Sequence, residues 1–215
     1  DDLPASLRTA PLSYGAPFLA ELPALFPPGL LNRLSIRAFN ELWYRKAPRH
    51  RVGEVQDIAT FFHPLDLVGG WNNLYGPRGF LQWQCVLPDA ETERLRRIVE
   101  RLSGAGCTSF LAVLKRFGPA NAGHLSFPSA GWTLTLDIPV GDPDLAALLD
   151  ELDGSVAEGG GRVYFAKDSR LRPDLVATMY PRLDEWRTVR DRVDPRGRFQ
   201  SDLSRRLGLT GHEPG

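Results

Sequence analysis

Residues 79–166 switch between two periodicities, and this switching constrains the fold more than any motif does. Residues 79–87 read GFLQWQCVL. Leu81, Trp83 and Cys85 alternate there with Phe80, Gln82 and Gln84, the period of two of a strand with one buried face. Pro88-Asp89 then opens a segment in which Leu95, Ile98, Val99 and Leu102 recur at helical spacing. Asp89 is predicted as its N-cap, Glu91 and Glu93 suit the positive end of the dipole, and Gly104 follows the last apolar turn.

The same alternation then repeats. Residues 108–117 read as a second strand and residues 131–140 as a third, with Trp132, Leu134, Leu136 and Ile138 facing one way and Thr133, Thr135 and Asp137 the other. Asp142 and Pro143 start a helix whose apolar face is Leu145, Leu148, Leu149, Leu152 and Val156, and Gly159-Gly160-Gly161 ends it. Residues 162–166 read as a fourth strand. The order β-α-β-β-α-β predicts an α+β fold, the ferredoxin-like split βαβ arrangement of an antiparallel sheet with two helices on one face. The other face then carries Gln82, Gln84, Lys115, Thr133, Thr135 and Asp137.

The flanks differ in texture. Six prolines within residues 1–28 forbid a long helix and predict an extended strap. Residues 29–46 read as one helix, and residues 47–76, dense in aromatics, Gly and Asn, as an irregular loop. Short helices are predicted at 173–180, 182–193 and 201–209, the last capped by Ser201. The expected division is 1–76 for strap, helix and aromatic loop, 77–167 for the sheet domain, and 168–215 for a C-terminal helical tail.

Composition narrows the function classes. The 215 residues carry a formal net charge of +0, so bulk nucleic-acid binding is not expected. No apolar run approaches the roughly 18 residues of a membrane-spanning helix. Cys85 and Cys107 form no CxxC pair and read as small buried hydrophobes. Of 26 basic residues only Lys46, Lys115 and Lys167 are lysines. Lysine that persists in an Arg-biased chain suits chemistry that a forked, permanently charged guanidinium cannot do. The start Asp1-Asp2-Leu3-Pro4 and the single methionine, Met179, read as a piece of a longer protein.

Common catalytic fingerprints are missing: GxGxxG, GxxxxGK[ST], HExxH and GxSxG do not occur. His63 stands near Asp66 without further ligands at metal-site spacing, and a local hydrogen bond accounts for it. No metal is expected. The polar sheet face has two readings, a solvated face or a surface for a polyhydroxyl ligand that amides can both donate to and accept from. Lys167 likewise either serves such a site or pairs with Asp168 or Asp184.

Several motifs in order resemble a known family. They are HPLD…GGWNNLYGPRGFLQWQ at 63–84, LKRFGP at 114–119, LSFP…GW at 125–132, AKDSR at 166–170 and MYPRLDEW…DPRGRFQSDLSRRLGL at 179–209. They resemble the C-terminal half of flavin-dependent oxidases of the vanillyl-alcohol-oxidase type, in particular members that act on decaprenylphosphoryl-ribose. The resemblance implies that 77–167 is the substrate domain and that 168–215 packs on an FAD domain outside this chain. It implies FAD as cofactor and oxidation of the ribose 2'-hydroxyl to a 2-keto sugar. It further implies an NAD-dependent reductase partner and a place in arabinogalactan precursor synthesis of actinobacterial cell walls. A polyprenyl-phosphate substrate also implies peripheral membrane proximity, with the protein cytoplasmic or associated with the cell envelope.

Carried over by position, Lys167 is the implied catalytic residue beside flavin and sugar. Phe62, Gln82, Gln84, Lys115, Phe117, Thr133 and Thr135 are implied to bind substrate, and Tyr164 and Lys167 to touch the cofactor. Phe62 stands where relatives carry Tyr, and Thr133 and Thr135 where they carry Asn and Cys, so a sugar or aldonolactone oxidase is the alternative. A non-catalytic fragment is the reading of another class.

Overall fold

In a computed structural model of the chain, residues 4, 5, 10, 12, 14, 15, 18–23, 32–107, 109 and 111–210 are described. They fall into two units, residues 1–79 and residues 80–215.

Asn32 sets the start of helix α1 (Arg33–Lys46) in the first unit. Its Oδ1 accepts from the amides of Leu34 and Ser35 at 2.9 and 3.0 Å, and the Ser35 hydroxyl accepts from the Asn32 amide at 3.1 Å. That reciprocal cap places the helix start four residues after the expected one. The segment expected to be irregular contains a short helix, α2 (Ile58–Phe62), capped by Asp57 through the Thr60 amide at 2.8 Å. A two-residue parallel pair joins β1 (Ala20–Glu21) and β2 (Val68–Gly69). Elements of five and two residues are too short to print a periodicity in sequence. Most of the expected strap lies outside the described residues.

The second unit holds the sheet. Its strands are β3 (Phe80–Leu87), β4 (Ala112–Phe117), β5 (Gly131–Pro139) and β6 (Arg162–Val163), in the order β4-β5-β3-β6, all antiparallel. That order, with α3 (Thr92–Gly104) after the first strand and α4 (Leu145–Glu158) after the third, is the ferredoxin-like arrangement expected. Gly131 opens β5 at φ 146°, where an added Cβ would lie 2.0 Å from the Leu87 carbonyl oxygen, so only glycine lets the two central strands meet.

One face of the sheet and the two helices make the core. Trp83, Cys85, Leu87, Leu134, Leu136 and Ile138 pack with Leu95, Ile98 and Leu102 of α3 and with Leu145, Leu148, Leu149, Leu152 and Val156 of α4. Burying each of these large side chains contributes about 1.5–3 kcal/mol. The C-terminal segment joins the same core: Leu171, Val176, Met179, Tyr180, Leu183, Leu207 and Leu209 belong to it, on or beside α5 (Val176–Met179), α6 (Leu183–Val193) and α7 (Asp202–Arg206). Tyr180 donates its hydroxyl hydrogen to the Val163 carbonyl at 2.6 Å, tying that segment to the edge strand β6.

Three local expectations are corrected. Asp89 does not cap α3; its carboxylate holds Arg116 at 2.7 Å, and α3 follows a 3-10 turn over Asp89–Glu91. Val99, expected on the apolar face of α3, is 46% exposed because the sheet meets only the narrower stripe of Leu95, Ile98 and Leu102. The fourth strand ends at Val163, after which a 3-10 turn over Phe165–Lys167 carries the chain away from β3.

Candidate functional site

Register decides what the second sheet face presents. Across β3 and β5, Gln82 pairs with Asp137, Gln84 with Thr135 and Val86 with Thr133. Across β5 and β4, Thr135 pairs with Val113, Thr133 with Lys115 and Gly131 with Phe117. Directly paired residues project to one side, so Gln82, Gln84, Thr133, Thr135, Asp137, Lys115 and Phe117 share a face. It is not a solvated face: Gln84, Thr133, Thr135 and Asp137 are all buried, Asp137 at 0% exposure.

Hydrogen bonds bind this row together. The Gln82 amide donates to Asp137 Oδ1 at 2.9 Å, and the Gln84 amide donates to the Thr133 hydroxyl at 3.0 Å. Asp137 Oδ2 is buried, and among the described residues it has no hydrogen-bond partner. Burial pushes the Asp137 carboxyl up, while the Gln82 hydrogen bond and the Lys167 charge pull it back. Lys167 is thus electrostatically part of the row. It ends the 3-10 turn after β6, where its amide donates to the Tyr164 carbonyl at 3.1 Å, and its side chain is half-buried.

The turn that carries Lys167 is pinned from behind. Asp168 Oδ1 accepts the amides of Arg170 and Leu171 at 2.9 and 2.7 Å, and Oδ2 takes Arg206 at 2.7 Å. Arg170 reaches Asp153 Oδ2 at 2.8 Å, and Asp153 Oδ1 accepts from the Trp83 indole at 2.8 Å. The acids considered as salt-bridge partners of Lys167 are engaged elsewhere, Asp168 with Arg206 and Asp184 with Arg187. Among the described residues Lys167 enters no ion pair.

The remaining expected site residues surround or leave this row. Tyr164 joins it through its amide, which donates to the Gln84 carbonyl at 2.9 Å. Its ring stacks on Phe127 at 4.5 Å, and Phe127 meets Phe117 edge-on at 5.9 Å. Lys115 lies on the edge strand and is exposed. Phe62 is not on the sheet: it closes α2 of the first unit, 67% exposed, with its ring against Phe61 at 4.8 Å. His63 follows it, with Nδ1 3.8 Å from Asp66. Asp137 is the residue that the expected site set omits, although its place opposite Gln82 follows once the two strands are put in register.

In donor and acceptor terms, the row offers amides, hydroxyls, one ammonium and one carboxylate. That set fits a polyhydroxyl ligand, and the ammonium at its edge fits a group that gains negative charge, as a flavin does on reduction. Among the described residues no cluster of three His, Cys, Asp or Glu suits a metal ion, and no helix is long and apolar enough to cross a membrane.

Comparison with known proteins agrees with this chemistry. Residues 138–207 match the family model of D-arabinono-1,4-lactone oxidase, a family of FAD-linked oxidases. The chain is 46% identical over 209 residues to the decaprenylphosphoryl-beta-D-ribose oxidase of Mycolicibacterium smegmatis, covering 97% of this chain and 45% of that protein. It is 42% identical over 216 residues to an uncharacterized protein in the mprA 5' region of Streptomyces coelicolor, covering 96% of this chain and 58% of that protein. The chain therefore spans about half the length of the curated relatives it matches. The resemblance read from the ordered motifs is borne out, and the family match includes Lys167 and the helices behind it.

Proposed function

We propose that this chain is the substrate-handling part of an FAD-dependent oxidoreductase that oxidises the 2'-hydroxyl of decaprenylphosphoryl-ribose to a 2-keto sugar. The observation that carries the reading is the buried row Gln82–Asp137 and Gln84–Thr133 with the Lys167 charge set against it. The long identity to a relative named for that substrate supports it.

In the proposed reaction, C2' of the ribose loses a hydride with its bonding pair, the 2'-hydroxyl loses its proton, and a carbonyl remains. FAD, when bound, supplies the hydride acceptor. The chain's own residues bind and orient. The Gln82 and Gln84 amides hold sugar hydroxyls from the floor of the site. Lys167 donates from its ammonium to oxygen and stabilises negative charge that develops at the reacting face. The Asp153–Arg170 and Asp168–Arg206 pairs hold the Lys167 turn so that this donor is in place before the substrate arrives. Tyr164 and Lys167 are the groups of this chain that would face the cofactor, and Lys115, Phe117, Thr133 and Thr135 would complete the substrate contacts. A nicotinamide-dependent reductase would consume the 2-keto product in cell-wall arabinan precursor synthesis, near the membrane that holds the lipid tail.

A second reading, a sugar or aldonolactone oxidase, is favoured by the family match over 138–207. One experiment separates the two. The full-length protein is mixed anaerobically with decaprenylphosphoryl-ribose, or with a panel of soluble pentoses, polyols and aldonolactones, and flavin bleaching is followed. Bleaching by the lipid-linked ribose alone supports the first reading. Bleaching by soluble substrates alone supports the second, and none by either sinks both.

A further inference from the structure

A ring packed face to face on a buried ring keeps its orientation without a hydrogen bond, because aromatic pairs favour a few relative geometries over the rest. The Tyr164 ring lies on Phe127 at 4.5 Å, with 25° between the planes. Phe127 is 5% exposed, whereas Tyr164 is half-buried and lines a surface hollow of about 520 Å³ whose wall also includes Phe165, Tyr180 and Trp186. Phe127 in turn meets Phe117, on the edge strand β4 of the polar row, at 5.9 Å and 89°. One buried ring therefore touches both a ring of the polar row and the ring that opens the Lys167 turn. The loop carrying Phe127 is fastened to the strand that leads into Tyr164. Arg162 of β6 donates to the Ser126 carbonyl, the Ser126 amide donates to the Gly123 carbonyl at 3.1 Å, and the Ser126 hydroxyl donates to the Pro128 carbonyl at 3.2 Å.

We propose that Phe127 is a positioning residue for the flavin and acts through Tyr164, whose ring it holds in one orientation before the cofactor arrives. This inference rests on the reading above that Tyr164 faces the cofactor. The Tyr164 backbone is already fixed, its amide by the Gln84 carbonyl and its carbonyl by the Lys167 amide. What Phe127 adds is the orientation of the side chain alone. Without the Phe127 ring, Tyr164 regains rotamers that flavin binding must freeze out again. Phe117, edge-on to Phe127, braces that ring from the side of the polar row.

The test is a double-mutant cycle read on flavin affinity rather than on turnover. The flavin-free full-length protein is titrated with FAD and the quenching of flavin fluorescence is followed. Phe127→Leu keeps apolar bulk and removes the ring face, and it is expected to weaken FAD binding roughly fivefold. Tyr164→Leu is expected to weaken it at least as much. In the Tyr164→Leu protein, adding Phe127→Leu is expected to change the affinity by less than about twofold, because the ring through which Phe127 acts is gone. A purely structural Phe127 would give the same loss in both backgrounds, and that result overturns the proposal while leaving the Tyr164 assignment in place. A Phe127→Leu protein that binds FAD within about twofold of wild type also overturns it. So does a Tyr164→Leu protein that binds FAD within about twofold of wild type, which needs no change at Phe127, so misfolding of Phe127→Leu does not protect the proposal. If the cycle is non-additive as expected yet decaprenylphosphoryl-ribose fails to bleach the bound flavin, the reaction assigned above falls while the role of Phe127 stands.

Discussion

Gln82 and Asp137 face each other across the central strand pair, and the Gln82 amide donates to Asp137 Oδ1 at 2.9 Å. The pair sits 55 residues apart in sequence and makes the only hydrogen bond given to that carboxylate among the described residues. Gln82→Leu keeps the bulk of the side chain and removes the donor. It should lower stability by about 1–3 kcal/mol, read by urea denaturation. A change near zero would mean that water replaces the amide.

Lys167 carries the next prediction. It makes no ion pair among the described residues, so Lys167→Ala should cost less than about 1 kcal/mol of stability. In the full-length protein the same substitution should slow flavin reduction roughly 100-fold or more. Stopped-flow absorbance beside a thermal melt separates the two effects. A destabilised protein with a normal reduction rate would return Lys167 to a purely structural role.

Trp83 links the sheet to the Lys167 turn. Its indole N–H donates to Asp153, and Asp153 holds Arg170 three residues after Lys167. Trp83→Phe leaves a buried carboxylate oxygen without its donor and should destabilise by about 1–3 kcal/mol. Burial already pushes the Asp153 carboxyl up to about 7, so loss of the indole donor should move it further up. Carboxyl chemical shifts followed against pH would show the direction.

Asp194 carries a prediction about acid stability. Its carboxylate accepts the amides of Phe199 and Arg198 at 2.8 and 2.9 Å, and these bonds hold it below the usual carboxylate range. A depressed folded-state value means that the unfolded chain takes up the proton first. The contribution of Asp194 is therefore present above about pH 4 and is lost as pH falls through its own lower value. Asp194→Ala should flatten the fall in stability between about pH 4 and pH 2 relative to wild type, measured by denaturant melts across that range.

The two cysteines should be chemically quiet. Burial pushes Cys85 up to about 12, and burial with the nearby Asp142 charge pushes Cys107 up to about 11. At pH 8 the native protein should alkylate with iodoacetamide at least roughly 100-fold more slowly than the denatured chain, because only the thiolate attacks. Mass spectrometry of each peptide against time reads this directly, and fast labelling of Cys85 in the folded protein would contradict its burial.

Local patterns were legible where a physical rule acts within a few residues. The strands at 80–87 and 131–139 follow from strict alternation, and α4 from its row of Leu145, Leu148, Leu149, Leu152 and Val156. Ser201 was readable as a cap because its side chain satisfies the Ser204 amide within one turn. Asp89 shows the same rule in reverse: its sequence position suits a cap, but its carboxylate finds Arg116 27 residues away.

By itself, then, the sequence determined the order of strands and helices, the side of each strand that is apolar, and the few residues fit for polar chemistry. Only the tertiary structure decided that the polar side is buried rather than solvated. It alone set Gln82 opposite Asp137, left Oδ2 of that carboxylate without a partner, and turned Asp168 and Asp184 toward arginines instead of Lys167. The physical reason is that alternation settles which way a side chain points, while register and burial depend on chain segments far apart in sequence.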